Sequence, residues 1–237
     1  MKMKNKKTEE REKRERDKKQ RKERKQLRRE SPLLERSEPK LRENPTILIV
    51  CEGENTEPSY FNQFKLSSAT IKAVGKGYNT VSLVNQAIIL SKEHKYDKVW
   101  CVFDKDDFSE KDFNEAILKA EKNKFGCAYS NQAFEYWLIL HFEDHQGGGM
   151  NRNDYNDKIN NLLLPFGATY DGKNCKIIDE DFFELLDGID SNTGEKRVNL
   201  AIARAKRNYK HFDHSSPAKE ESSTTVFKLV EKLLKYI

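Results

Sequence analysis

Two groups of acidic side chains follow apolar segments at widely separated points of the chain. Glu52 comes directly after the run 47–51, and Asp104 and Asp106 follow the run 98–103. Each run is short and apolar, as a buried strand of a parallel sheet is. Ligands of an open α/β sheet bind beyond the carboxyl ends of its strands, so we expect these three carboxylates to meet there. Alternation along an extended segment would also turn Asp104 and Asp106 to the same side.

This arrangement of carboxylates predicts a metal site. Clustered negative charges repel one another unless a divalent cation neutralises them, and a site that offers only oxygen ligands suits Mg²⁺ or Mn²⁺. A cation held by carboxylates can support phosphodiester hydrolysis, because it polarises the phosphate and generates hydroxide. We therefore predict a magnesium or manganese site made by Glu52, Asp104 and Asp106. The alternative for the second group is a solvated acidic turn.

The elements that would position these side chains alternate between strands and helices. Apolar runs predict strands at 47–50, 71–74, 98–103 and 126–129, and amphipathic patterns predict helices at 57–65, 81–94 and 112–123. This order predicts an α/β fold with a mostly parallel sheet flanked by helices. Thr56 and either Ser222 or Ser223 are predicted to cap helices.

The second half of the chain is predicted to be mainly helical. Helices are expected at 132–142, which is apolar almost all round, and at 154–163, 179–187, 195–211 and 222–236. We therefore divide the chain into a charged arm and linker at 1–45 and a domain at 46–237. That domain comprises an α/β core at 46–142 and a helical C-terminal extension at 143–237.

Charge is distributed unevenly along the chain. Residues 1–44 carry 19 Lys and Arg against 10 Asp and Glu, while the remainder carries 25 against 29. The positive balance therefore belongs to the N-terminal arm, and the rest is mildly acidic. The arm is either a solvated helix or disordered segment, or a segment that binds polyanions. Three prolines between 31 and 45 predict a linker.

The composition also bears on the cellular compartment. No apolar run approaches the ~18 residues that span a bilayer, and the N-terminus lacks the apolar core of a secretory signal. We therefore expect a cytoplasmic protein that does not contact a membrane. In that compartment we expect the four cysteines to be reduced core residues; they are Cys51, Cys101, Cys127 and Cys175.

Several further polar residues are candidates for contacting a substrate. Glu135 lies in an otherwise apolar helix, where an unpaired charge is costly, and Asn131 precedes it by four residues, so both could face the strand ends. A buried structural ion pair is the alternative for Glu135. Lys105 could contact a scissile phosphate. Arg204 and Arg207 lie on a basic helix that is either a solvated face or a phosphate-binding strip.

Two histidines complete the set of candidates. His141 and His145 have the helical spacing of some zinc sites, but no Cys or third ligand accompanies them. We predict that His141 is a core histidine rather than a metal ligand.

Together these segments resemble known families. A strand followed by Glu52-Gly-x-x-Thr-Glu, with a later strand ending in Asp104-x-Asp106, is similar to the Toprim domain of topoisomerases, primases and overcoming-lysogenization-defect nucleases. The segment Tyr129-Ser-Asn-Gln-Ala-Phe-Glu-Tyr-Trp-Leu-Ile-Leu-His-Phe and the later Ser223-Thr-Thr-Val-x-x-Leu-Val are similar to the RloB-like family, which includes the abortive-infection protein AbiLii. The motifs together span residues 47–237.

The resemblance implies a Toprim-like fold and a role in bacterial defence against phage, beside restriction–modification genes or on plasmids. It implies that Glu52 is the catalytic or metal-binding glutamate and that Asp104 and Asp106 are metal ligands. The expected activity is cleavage of DNA or RNA. The expected partners are nucleic acid and a partner ATPase or restriction–modification component.

Other functions remain open at this point. The main competitor is a non-catalytic module of a defence system that binds nucleic acid or a partner protein. A phosphatase of the haloacid-dehalogenase type is less favoured, because it leaves Glu52 without a role. Dinucleotide binding is disfavoured because the chain contains no GxGxxG motif.

Overall fold

The computed structural model describes residues 15–16, 18–22, 45–73, 80–106, 108–146 and 148–237. The chain divides into two units, residues 1–43 and residues 44–237. In the first unit, residues 15–16 and 18–22 are helical and exposed. The rest of the predicted arm, and the predicted linker up to residue 44, lie outside the described residues.

A mostly parallel sheet forms the centre of the second unit. Its strands are β1 (Ile47–Cys51), β2 (Ala69–Ala73), β3 (Lys98–Asp104), β4 (Gly126–Asn131) and β5 (Ser223–Thr224), in the spatial order β2-β1-β3-β4-β5. The first four strands are parallel, and β5 pairs antiparallel with β4. The predicted α/β fold is confirmed, but β5 was not predicted. A strand of two polar residues carries no apolar periodicity that could reveal it.

Helices flank the sheet. They are α1 (Thr56–Asn62), α2 (Thr80–Leu90), α3 (Glu110–Lys122), α4 (Glu135–Phe142), α5 (Tyr155–Leu163), α6 (Glu180–Asp187), α7 (Arg197–Tyr209) and α8 (Val226–Leu233). All eight were predicted, and their observed ends differ from the predicted ends by up to four residues. The C-terminal part is helical apart from β5, as predicted.

Strand β1 contributes side chains to the hydrophobic core on each face of the sheet, and all five of its residues are buried. Ile49 packs in the core that contains α1 and α4, while Leu48 and Val50 pack in the core that contains α2 and α3. Successive side chains of a strand point to opposite faces, so a strand covered on both faces must be apolar throughout. The first position at which the chain can place a charge is therefore Glu52, just beyond the strand.

The predicted helix caps are wrong. Thr56 is the first residue of α1, and its hydroxyl lies 3.3 Å from the Tyr170 hydroxyl. The Ser222 hydroxyl accepts a hydrogen bond from a distant backbone N–H at 3.1 Å, and Ser223 belongs to β5. These serine and threonine side chains form tertiary contacts where local capping was expected.

The cysteines are free thiols, and Cys51, Cys101 and Cys127 lie in strands. Cys51 and Cys101 are buried, Cys127 is half-buried and Cys175 is exposed. The prediction of core cysteines therefore holds for the first two and fails for Cys175. Burial raises the pKa of the Cys127 thiol to about 12. None of the helices in the described ranges combines the length and the apolar character needed to cross a membrane.

Candidate active site

The carboxyl ends of β1 and β3 open into one cavity of 460 Å³. Because the two strands are parallel neighbours, their ends lie side by side. Glu52, Asp104 and Asp106 all line the cavity. The Asp104 backbone N–H donates to Glu52 Oε2 at 3.3 Å. The structure thus brings together the three carboxylates that the sequence placed at strand ends.

Asp104 holds the least satisfied oxygen of the cavity. Its Oδ2 accepts a hydrogen bond from the Phe134 backbone N–H at 3.0 Å. Its Oδ1 is buried and has no hydrogen-bond partner among the described residues. A buried acceptor left in this state costs roughly 1–3 kcal/mol. None of the described protein groups offsets this cost at Asp104 Oδ1.

Asp106 reaches the cavity through a turn. Strand β3 ends at Asp104, and Asp106 has φ of +40°, in the left-handed region that Asp tolerates better than most residues. The alternation argued from an extended segment was therefore wrong, although both acids line the cavity. The Asp106 carboxylate pairs with the Arg152 guanidinium, and each side chain is 33% exposed. One cavity acid thus already has a cationic partner.

Glu57 is a further acid that lines the cavity, and it was not predicted to belong to the site. It lies in the first turn of α1 and is 5% exposed, and the backbone N–H groups of Glu57 and Gly53 partly offset the effect of burial on its pKa. A Cβ at Gly53 would lie 2.2 Å from Glu57 Oε2, so glycine permits this close approach. The available signal was a second glutamate five residues after Glu52, at the start of a predicted helix.

These acids raise one another's pKa values. Burial raises the pKa of Glu52 to about 8, and the charges of Asp106 and Glu57 act in the same direction. Burial likewise raises the pKa of Glu57 to about 7, with a further contribution from Glu135. Burial and the charge of Glu57 hold the pKa of Asp104 well above its usual value. Acids that raise one another's pKa values within a cavity are typical of functional sites.

Glu135 enters the cavity from the first turn of α4. Its Oε1 accepts a hydrogen bond from the Tyr170 hydroxyl at 3.0 Å. That hydroxyl also lies 3.3 Å from the Thr56 hydroxyl. The structure thus gives Glu135 a neutral partner from the C-terminal extension, where the sequence analysis had considered an ion pair.

Asn131 and Lys105 do not line the cavity. Asn131 belongs to β4, because α4 begins only at Glu135, so the two residues do not share a helical face. The Asn131 amide donates to two backbone carbonyls near residue 217, at 3.1 and 3.0 Å. Lys105 Nζ donates to the Phe108 carbonyl at 2.5 Å. Both side chains therefore stabilise loops next to the site.

Arg204 and Arg207 bind the protein itself, away from the cavity. Arg204 Nη1 donates to the Leu140 carbonyl at 2.8 Å. Arg207 Nη2 forms an ion pair with Asp144 Oδ1 at 2.5 Å. These two basic side chains of α7 thus contact the protein's own oxygens, and neither lines the cavity.

His141 is a core histidine, as predicted. It is fully buried, its Nδ1 lies 2.9 Å from the Trp137 carbonyl oxygen, and burial lowers its pKa to about 3. His145 lies beyond the end of α4, and its Nδ1 is 2.9 Å from the Tyr136 hydroxyl. The helical spacing that suggested zinc is therefore not realised.

Basic and amide side chains reach the cavity from the C-terminal half; they are Arg152, Lys173, Asn174 and Lys176. No sequence motif pointed to them, because they come from loops far from the strand ends. Within the described ranges, no three Asp, Glu, His or Cys side chains form a ready-made metal centre. The acids thus share a cavity without a preformed three-ligand arrangement.

Comparison with known proteins identifies the family. A family model described as RloB-like protein matches residues 47–233. The matched region begins at β1, includes all the acids that line the cavity and ends with α8. Neither the curated proteins nor the solved structures contained a match to this chain.

Proposed function

We propose that this chain, which belongs to the RloB-like family, is a divalent-cation-dependent nuclease with a Toprim-like site. The observation that carries the proposal is the convergence of Glu52, Asp104 and Asp106 from two neighbouring strand ends in one 460 Å³ cavity. The expected substrate is a phosphodiester of DNA or RNA.

The donor chemistry of the cavity fits Mg²⁺ or Mn²⁺. The acids offer only oxygen ligands, and Asp104 Oδ1 is buried with no partner among the described residues. Glu52, Asp104 and Asp106 would hold the cation, which would also relieve the repulsion between them. When bound, Mg²⁺ would polarise the phosphate and activate a water molecule.

The side chains of the cavity would orient the reacting groups and exchange protons with them. Glu52, ionised beside the cation, would take the proton of the attacking water as the water oxygen bonds to phosphorus, and a solvent water would protonate the leaving oxygen as its bond to phosphorus breaks. Arg152 would hold the Asp106 carboxylate in place through their ion pair. Asp104 would stay fixed by the Phe134 N–H.

A role in defence against phage follows from the same resemblance. In such a role the protein would act on nucleic acid in the cytoplasm, together with a partner ATPase or a restriction–modification component. Damage to phage or host nucleic acid would then limit phage growth.

The test is a cleavage assay on plasmid, single-stranded DNA and transfer RNA with Mg²⁺ or Mn²⁺. Glu52→Gln and Asp104→Asn are each expected to lower the rate at least ~100-fold, and chelation by EDTA is expected to abolish cleavage. Glu93→Gln, which neutralises an exposed acid remote from the cavity, should cleave as the wild type does. Undiminished cleavage by both cavity variants would refute the assignment.

A second candidate is a non-catalytic module that binds nucleic acid or a partner protein. The observation in its favour is the ion pair between Asp106 and Arg152, which occupies a carboxylate that a catalytic metal would need. This function predicts that protection against phage survives Glu52→Gln and Asp104→Asn but is lost when residues 1–30 are deleted. The nuclease predicts loss of protection in both cavity variants.

A further inference from the structure

One wall of the acidic cavity is supplied by a segment of the C-terminal extension, residues 170–178. At its start, the Tyr170 backbone N–H donates to Asn160 Oδ1 at 2.9 Å, and Asn160 Nδ2 donates to the Tyr170 carbonyl at 2.8 Å. At its end, the Ile178 N–H donates to the Ser59 hydroxyl at 2.8 Å. The segment is therefore attached to α5 on one side and to α1 on the other.

Within this segment, Asp171 shapes the turn that carries two lysines. Its Oδ1 accepts hydrogen bonds from the backbone N–H groups of Asn174 and Lys173, at 3.0 and 3.2 Å. Its carbonyl accepts from the Lys176 N–H at 2.8 Å. The bonds from Asn174 lower the pKa of Asp171, so it stays ionised and the turn keeps its shape. Lys173 and Lys176 are thus held at the cavity by the backbone.

Six acids and three bases line the cavity, and we call them its acidic floor and its basic wall. The acids that line it are Glu52, Glu54, Glu57, Asp104, Asp106 and Glu135, and the bases are Arg152, Lys173 and Lys176. Arg152 is engaged by Asp106. Among the described residues, the ammonium groups of Lys173 and Lys176 have no ion-pair or hydrogen-bond partner. They are therefore the cations of this cavity that can bind an external anion.

The position and size of the cavity restrict that anion. The acids proposed to act on the phosphodiester, Glu52, Asp104 and Asp106, are half-buried and line the cavity, so a reacting phosphate must enter it. Its 460 Å³ lies within the range of small-molecule pockets. Duplex DNA is stiff over roughly 150 base pairs and keeps its phosphates on a convex surface. A single strand can bend one phosphate inward while its neighbours contact a basic wall.

We propose that Lys173 and Lys176 bind the phosphates that flank the reacting one, and that the ligand is a single strand of nucleic acid. The inference rests on the proposed function, since it takes the acidic floor as the place where the phosphodiester reacts. It adds a strand specificity and two residues that determine it. Neither lysine needs to take part in the chemistry.

The test measures binding, so that it does not depend on cleavage. A fluorescent single strand of about 12 nucleotides, within the site sizes of single-strand binders, is titrated in Mg²⁺ at several salt concentrations. All proteins carry Glu52→Gln to prevent turnover. Lys173→Ala combined with Lys176→Ala is compared with Lys92→Ala combined with Lys95→Ala, which removes the same charge from exposed sites outside the cavity.

The cavity-wall variant should bind about tenfold more weakly and lower the log–log salt slope by about 1.4, since each single-strand phosphate contact contributes about 0.7. The Lys92/Lys95 variant should match its parent. A duplex of the same sequence should bind more weakly than the single strand to the Glu52→Gln parent, and its affinity should not depend on Lys173 and Lys176.

Three results would overturn the inference. They are an unchanged salt slope in the cavity-wall variant, equal and equally lysine-dependent binding of the duplex, and competition by AMP at the same concentration as the unlabelled oligonucleotide. The two proposals can fail separately. If the wild type does not cleave but the Glu52→Gln parent binds through the lysines, the nuclease alone is refuted. If the wild type cleaves but the cavity-wall variant keeps the salt slope of the Glu52→Gln parent, the lysine contacts alone are refuted.

Discussion

Helix α7 and the strand-end cavity both contain several charged side chains. In α7, arginines have hydrogen-bond partners within the protein, whereas in the cavity acids lie close to other acids. Along α7, Arg197 and Arg204 each donate to a backbone carbonyl at 2.8 Å. In the cavity, burial and neighbouring acids raise the pKa values of Glu52 and Glu57. A charge that the protein satisfies itself contributes to stability. Acids that raise one another's pKa values instead indicate that a ligand from outside the chain binds there.

The largest expected effect on stability is that of removing a satisfied charge from α7. Arg197 is 6% exposed, donates to the Leu185 carbonyl, and lies over the rings of Phe142 and Phe166 at 5.4 and 4.7 Å. Arg197→Ala should lower the free energy of unfolding by roughly 2–4 kcal/mol, because it removes this packing and the hydrogen bond to the Leu185 carbonyl. Urea denaturation measures the change.

The neighbouring Lys196 provides the control for that measurement. Its side chain is exposed and pairs with Asp187 at the surface, so Lys196→Ala should cost less than about 1 kcal/mol. If Arg197→Ala costs no more than this control, the arginines of α7 are not structural and the contrast between the two regions fails.

The next largest effect is an increase in stability when Glu57, whose pKa is raised by burial and by neighbouring acids, is neutralised. The pKa of Glu57 is about 7 in the folded protein, against an ordinary value of 4.5. Folding therefore favours its protonated form, and this contribution is complete below pH 4.5 and is lost as the pH rises through 7. Glu57→Gln stays neutral, so in EDTA it should raise the free energy of unfolding by roughly 1–3 kcal/mol at pH 8 and by much less at pH 5.

The diagnostic feature of this prediction is its dependence on pH. Glu93→Gln changes an exposed acid outside the cavity, and its effect should be small and equal at pH 5 and pH 8. An equal effect of Glu57→Gln at the two pH values would mean that Glu57 is not held in an unfavourable ionised state.

The sheet and its strand-end acids were predictable because one local rule governs both. An apolar run followed by a carboxylate indicates a buried strand and its carboxyl end, as Glu52, just beyond β1, and Asp104, the last residue of β3, demonstrate. Helical spacing was less informative for α7. It shows which residues share a face, but it does not show that Arg204 meets the Leu140 carbonyl or that Arg207 meets Asp144.

The basic wall of the cavity could not be predicted, because tertiary contacts alone bring it there. Tyr170 lies 114 residues after Thr56, which its hydroxyl approaches, and Lys173 and Lys176 follow it in a loop without a recognisable motif. The position of that loop depends on hydrogen bonds from its backbone N–H groups to the side-chain oxygens of Asn160 and Ser59. Such bonds leave no periodic trace in the sequence.

The smallest expected effect concerns Tyr170, which supplies a partner to a cavity acid. Its hydroxyl donates to Glu135 Oε1 at 3.0 Å. Glu135 therefore resembles the α7 arginines in having a hydrogen-bond partner, although it lies among the cavity acids. Tyr170→Phe should lower the free energy of unfolding by roughly 0.5–1.5 kcal/mol, measured by urea denaturation at pH 7. Tyr96→Phe, at a half-buried ring outside the cavity, should change it by less.

The sign of this effect matters more than its size. A loss in Tyr170→Phe together with a gain in Glu57→Gln at pH 8 would separate two acids of one cavity by whether the chain supplies them with a partner. A higher free energy of unfolding for Tyr170→Phe would instead show that Glu135 behaves as Glu57 does. The contrast would then hold only between the cavity and α7 as whole regions.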